Sequence, residues 1–290
     1  MNRFVNKRKI QFVLVFTLML STSYLFGQLK GDTYAVAKSK GSANWVFTYA
    51  ESPGFASKKN GKMTGITVDL MKKFEEYVEK KEGIEVSVTY QGKNPNNFTL
   101  FLDEVKKGHG GVFGLSNTTI TDARKRAYSF SPPYITNIGM VLTHSSVPTL
   151  NNISDIAQKF AGMTAVTIKN STNEKWIMDI KSKYYPALKV EYVASFGKAM
   201  GAIIADPKKF TNVDFTYYFE AIQNRQPVKR HPGGDETTEQ FGIIMPKNND
   251  WAPLLRQFMS DEFITSVEYK KIIADNLGQS AMKFFETLKK

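Results

Sequence analysis

The stretch TTITDARKRAYSFSPPY, residues 118–134, sets hydroxyls, an aspartate and the cations Arg124, Lys125 and Arg126 ahead of an aromatic run closed by Pro132-Pro133. A guanidinium can grip a carboxylate through two parallel hydrogen bonds, and the free N–H groups of a helix start add to the same anion field. Arg124 falls in the first turn of a helix whose N-cap is expected at Thr121, and Thr119 could offer its hydroxyl or its backbone N–H to the same anion. The three cations also fit a solvated basic helix face, and spacing alone does not separate the two readings.

Other chemistries find little support. There is no cysteine, and His109, His144 and His231 lie in unrelated contexts, so no metal site is expected. No G-x-S-x-G elbow and no phosphate-cradling glycine loop appears, and no cofactor is expected. A binding protein is therefore favoured over an enzyme. The formal charge of +12 includes Arg3, Lys7, Arg8 and Lys9, and the remaining +8 is spread along the chain without a basic stripe interleaved with aromatics. Nucleic acid is not an expected partner. Those four cations precede an uncharged run from Ile10 to Phe26 and a small residue at Gly27, the pattern of a secretory signal peptide over residues 1–27. A periplasmic protein is expected, or a membrane-anchored one if the run is not cleaved.

The elements that must position Arg124 alternate between strand and helix, the mark of an α/β fold. With 42% apolar residues and 13% aromatics, the chain has material for a sizeable core. NWVFTYA (44–50) reads as a strand, Asn60-Gly61 as a hairpin turn, and ITVDLMKKFEEYVEKKEG as a helix stopped by Gly83. IEVSVTY is a strand, NNFTLFLDEVKKG a short helix, and GVFGL a buried strand that runs into the arginine segment. Residues 137–144, 163–168 and 189–194 read as strands. Residues 171–184, 195–206 and 212–223 read as helices, with Ser171 and Glu174 at capping-box spacing. FGIIMPK (241–247) is the last strand, and helices follow it.

Four segments resemble one family when taken together and in order: GKMTGITVDLMKKF, TTITDARKRAYSFSPPY, AGMTAVTIKNSTNEKW and FGIIMPKNNDWAPLLRQF. They are similar to the signature segments of bacterial extracellular solute-binding proteins of family 3, the amino-acid-binding proteins of ABC uptake systems. The resemblance implies a two-lobed type II periplasmic-binding-protein fold with two hinge strands and a ligand cleft between the lobes. Residues 30–140 plus 240–290 would form lobe 1, and 141–239 lobe 2. It implies that Arg124 and Thr119 hold a ligand α-carboxylate, with Ser171, Thr172 and Asn173 closing on it from lobe 2, while Asp214 takes the α-ammonium. Asp214 could equally be an ordinary helix N-cap. Asn117 stands at a position where the family has glycine, and Ser52, flanked by Tyr49 and Glu51, stands where an aromatic residue commonly stacks on the ligand. Phe55 reads as a core residue. The resemblance further implies a monomer that delivers a small amino acid or related carboxylate to an ABC permease. The same fold also serves dehydratase-like enzymes acting on small carboxylic acids and extracellular ligand sensors, which are the alternatives.

Overall fold

The computed structural model describes residues 28–236 and 239–288, with side chains described as far as residue 278. The expected signal peptide lies outside the described residues. α1 (Tyr34–Lys40), β1 (Ser42–Tyr49), the hairpin β2 (Ser57–Lys59) and β3 (Lys62–Thr64), α2 (Ile66–Glu82), β4 (Glu85–Tyr90), α3 (Phe98–Lys107), β5 (Val112–Leu115), α4 (Asp122–Ala127) and β6 (Tyr128–Phe130) come first. β7 (Ile135–Thr136) leads to β8 (Gly139–His144), α5 (Ile156–Lys159), β9 (Thr164–Thr167), α6 (Thr172–Lys183), β10 (Lys189–Tyr192), α7 (Phe196–Ala205), β11 (Lys209–Asp214), α8 (Phe215–Gln223) and β12 (Val228–Glu236). The chain returns through β13 (Gln240–Phe241) to β14 (Ile244–Pro246), α9 (Ala252–Phe258), α10 (Asp261–Thr265) and α11 (Val267–Leu288).

Two five-stranded sheets result, ordered β4-β1-β5-β14-β6 and β10-β9-β11-β8-β12, and each is the centre of one lobe. Between them β7 and β13 pair antiparallel, with Thr136 opposite Gln240 and Ile135 opposite Phe241. Both crossovers are thus tied into one short ribbon, the geometry of a two-stranded hinge.

In the first sheet β1 is parallel to both of its neighbours and buried from Trp45 to Tyr49. Helices on both faces of a parallel sheet demand such a continuous apolar run. Trp45 stacks on Phe74 of α2 with centroids 5.0 Å apart and meets Trp251 edge-on at 4.9 Å. α2 starts at Gly65, where φ is 128° and a Cβ would come within 2.3 Å of the Phe55 carbonyl oxygen. Only glycine fits so close an approach.

The second sheet has its own apolar cluster, including Leu150, Phe160, Ile177 and Phe210, and a fully buried histidine joins it. The N–H of Leu150 donates to His231 Nδ1 at 2.9 Å, which places the ring proton on Nε2, 2.7 Å from Thr143 Oγ1. Thr143 passes its own hydroxyl proton to the His144 carbonyl at 2.9 Å, and Phe160 meets the ring edge-on at 5.0 Å. Burial, with Lys229 nearby, holds the imidazole neutral by lowering its pKa from 6.5 to about 4.

Three stretches depart from the sequence pattern. Residues 212–214 are the end of β11 and not the start of a helix; α8 begins at Phe215. The segment expected as one strand over 241–247 is interrupted at Gly242 and Ile243, which separate β13 from β14. β12 forms over VKRHPGGDE, a stretch that the sequence pattern assigns to no element, despite Pro232, Gly233 and Gly234, which disfavour a strand interior. It is the edge strand of its sheet and its register shifts between His231 and Glu236, the two circumstances in which a strand tolerates proline.

Candidate functional site

Arg124 is placed by two local devices. β5 ends at Leu115 and aims the chain at the cleft, and Thr121 caps α4 by accepting the Arg124 N–H at 3.1 Å. The guanidinium donates Nη1–H to the Thr119 carbonyl at 2.9 Å and lies over the Phe98 ring, 5.4 Å from its centroid. This is a cation held flat by an aromatic face and one carbonyl. Burial pulls its pKa below the usual arginine value, against the opposing influence of Glu239, Tyr128 and Asp214. The solvated-face reading fits Lys125 and Arg126, which are exposed, and not the guanidinium of Arg124.

Across the cleft Ser171 caps α6, accepting the Glu174 N–H at 3.0 Å, while Glu174 reaches back to the Asn170 N–H at 2.6 Å. Thr172 and Asn173 therefore open a helix whose first N–H groups point at the space beside Arg124. The lobes touch here: Thr119 Oγ1 and Thr172 Oγ1 are 3.4 Å apart, and the Phe98 N–H donates to the Ala194 carbonyl at 3.3 Å.

Asp214, 3% exposed, ends β11 and precedes α8, but its carboxylate makes no cap bond. It turns instead to two amides. Asn137 Nδ2 donates to Oδ1 at 2.6 Å, and Asn117 Nδ2 donates to Oδ2. Asn137 Nδ2 also donates to Glu239 Oε2 at 3.0 Å, and Thr119 Oγ1 donates to the same oxygen at 3.3 Å. Two carboxylates thus share one amide. Burial first and the charge of Glu239 second raise the Asp214 pKa from 3.8 to about 8, while the two amides and Arg124 pull the other way. Among the described residues no group of His, Asp or Glu is arranged to hold a metal ion.

Arg124, Thr119, Asn117, Asp214, Ser171, Thr172 and Asn173 line one small cavity of about 10 Å³, closed by Phe98 and Phe196. The sequence pattern places these seven together. Tyr49, Glu51 and Ser52 do not line that cavity. Tyr49 packs against Gly92, and Glu51 Oε1 accepts the Lys58 N–H at 3.2 Å. Ser52 reaches the centre only through Ser116, with 3.4 Å between hydroxyls and 3.0 Å from Ser116 Oγ to Asn117 Oδ1. Phe98, Phe196, Asn137 and Glu239 escape the sequence reading. Asn97, which caps α3 just ahead of Phe98, and Ser195, which caps α7 just ahead of Phe196, are the local signals among them. Asn137 and Glu239 meet only because the two crossovers pair, with the Asn137 N–H donating to the Glu239 carbonyl at 2.7 Å.

Two α/β lobes, a paired hinge and a polar cavity between them define a two-lobed binding protein of the type II periplasmic fold. Residues 46–279 match the family described as bacterial extracellular solute-binding proteins, family 3, and the chain belongs to that family. No curated protein matches its sequence. Among solved structures it is similar to an ancestral arginine-binding protein bound to glutamine, with TM-score 0.64 and 21% identity over 82% of this chain and 99% of that one. It is also similar to the arginine-, lysine-, histidine-binding protein ArtJ from Geobacillus stearothermophilus, with TM-score 0.65 and 18% identity over 81% of this chain and 96% of that one. A third likeness is the GluR0 ligand-binding core from Nostoc punctiforme in complex with L-glutamate, with TM-score 0.61 and 16% identity over 80% and 98%. At these identities the likeness establishes the fold.

Proposed function

We propose that the protein captures a free amino acid between its lobes and presents it to an ABC permease, acting as a binding protein and not as an enzyme. The observation that carries this is the placement of a buried guanidinium and a buried carboxylate, Arg124 and Asp214, on the wall of one cavity. An α-carboxylate suits Arg124, the Thr119 hydroxyl and the N–H groups of Thr172 and Asn173. An α-ammonium suits Asp214, which would ionise on pairing. These structural relatives carry arginine, glutamine or glutamate in their names, which agrees with an amino-acid ligand.

Residues 30–140 with 240–290 would move as lobe 1 and 141–239 as lobe 2, flexing at the β7–β13 ribbon. A cavity of about 10 Å³ has room for a single water, so entry of an amino acid requires the lobes to part. The basic and apolar N-terminal sequence supports export to the periplasm, where a monomer would meet its permease.

The test is a thermal-shift screen of amino acids and small carboxylates, followed by calorimetry. A ligand at a hundred times its dissociation constant adds about 2.7 kcal/mol of apparent stability. Absence of any shift across the amino acids would sink the proposal.

A further inference from the structure

The buried groups around the hinge do not balance a zwitterion. The described centre holds one guanidinium, Arg124, and two carboxylates, Asp214 and Glu239. A ligand α-carboxylate and α-ammonium would match Arg124 and Asp214 and leave Glu239 over. Glu239 has polar hydrogens from Asn137 and Thr119, but no cation lies within ion-pair distance of it among the described ion pairs.

A second, independent observation concerns the amides. Asn137 is fully buried, and its Oδ1 has no donor although its Nδ2 serves both carboxylates. Three acceptors thus gather at one point, and Asn137 Oδ1 is unsatisfied there; a buried polar atom of that kind calls for a partner rich in N–H.

Space leads the same way. Thr119 and Thr172 separate the Arg124 cavity from a groove of about 500 Å³ between the lobes, and Glu239 lies on the groove side of that divide. Trp176 and Glu236 line the same groove. A side chain growing from the α-carbon would pass the two threonine hydroxyls and arrive at Glu239 and the indole of Trp176, a surface that favours a cation.

We propose that the ligand is a cationic amino acid, bearing an ammonium or guanidinium beyond its α-amino group, and that Glu239 on the return crossover is the residue that selects it. This rests on the amino-acid reading above. Glu239 occupies the hinge itself, so pairing its carboxylate with the ligand's distal cation would neutralise a charge next to the strands that must flex. Specificity and closure would then share one side chain.

Calorimetry with matched pairs tests this: lysine against norleucine, and arginine against citrulline, so that each pair differs in the distal charge. The purified protein should bind at least one cationic member about 100-fold more tightly than its neutral partner. Glu239→Gln keeps the shape and an acceptor oxygen, and should bring that ratio within about tenfold, with most of the loss falling on the cationic ligand. Neutral ligands binding as tightly as cationic ones to the unaltered protein would overturn the proposal, and so would a ratio that survives Glu239→Gln. If such binding is still lost in Arg124→Ala, the amino-acid reading stands and only the cationic class falls. If none of the four ligands binds, the cationic class falls, and the amino-acid reading falls with it only if the full amino-acid screen is also blank.

Discussion

Two of the polar centres buried among the described residues are built on opposite plans. Around His231 both ring nitrogens have partners, and the hydroxyl that receives one of them passes its own proton on. At the hinge, Asp214 and Glu239 share an amide, Asn137 Oδ1 has no donor, and Arg124 has only a carbonyl and an aromatic face. A satisfied buried network fixes a fold, whereas a buried charge without its counter-charge lowers stability until something supplies it. The first centre lies within one lobe. The second is assembled from both lobes and both crossovers, the place where a ligand can supply what is missing.

The contrast can be broken at either end. Arg124→Ala should have the largest effect: ligand affinity falls by about 4 kcal/mol or more in calorimetry, while the melting temperature holds or rises because an incompletely paired buried charge has gone. A melting temperature that collapses would make Arg124 a structural residue like His231.

Asp214→Asn comes next. Affinity for a ligand with an α-ammonium should fall by roughly 2 to 5 kcal/mol, and that for a simple carboxylate should hold or improve. The ligand-free protein should gain stability, and the gain has a sign that varies with pH. The folded carboxyl titrates near 8, above its unfolded value of 3.8, so its favourable protonated state is fully retained below about pH 4 and lost as pH rises through 8. Melts at pH 9 should therefore separate the variant from the parent by several kcal/mol, and melts at pH 4 should not. A uniform gain would show that Asp214 is not the titrating group.

His231→Ala should cost about 3 kcal/mol by removing a packed ring and orphaning the Leu150 N–H, with affinity changed by less than about threefold. In the parent protein the same ring makes acid destabilising. Its folded pKa, about 4, lies below the unfolded 6.5, so its contribution is full above 6.5 and falls away toward pH 4, by roughly 2 kcal/mol once partial solvent screening is allowed for. Denaturant melts between pH 7 and 4 would reveal this slope, and the variant should lack it. Smallest is Ser171→Ala, which removes the α6 cap and should cost about 1 kcal/mol of stability. A larger loss of affinity than of stability would show that the cap also positions the N–H groups of Thr172 and Asn173.

What the sequence discloses is what local chemistry dictates. Thr121 before Arg124, Ser171 three residues ahead of Glu174, and Asn60-Gly61 between β2 and β3 each carry their own signal, because a cap or a turn is settled within a few residues. Asp214 was ambiguous because an aspartate ahead of a helix is the ordinary sign of a cap, and here the side chain turns to Asn117 and Asn137 instead. Glu239 carries no local sign at all. It matters because residues 102 positions apart, Asn137 and Glu239, are brought face to face by pairing of the crossovers. β12 was hidden for a related reason: its proline and glycines are tolerated by an edge position that only the completed sheet defines.

The place of β14 governs the order in which the molecule can be made. This strand of three buried residues, Ile244–Pro246, lies between β5 and the edge strand β6 of the first sheet, yet it is the last of the described strands to be synthesised. During synthesis, every strand of the second sheet has been made by Glu236, before the gap in the first can be filled. Domains generally fold as units during synthesis, beginning from the N-terminus. Here the inserted unit should become resistant to protease first, in released chains truncated near residue 240, and the first lobe should gain resistance only in chains that include β14.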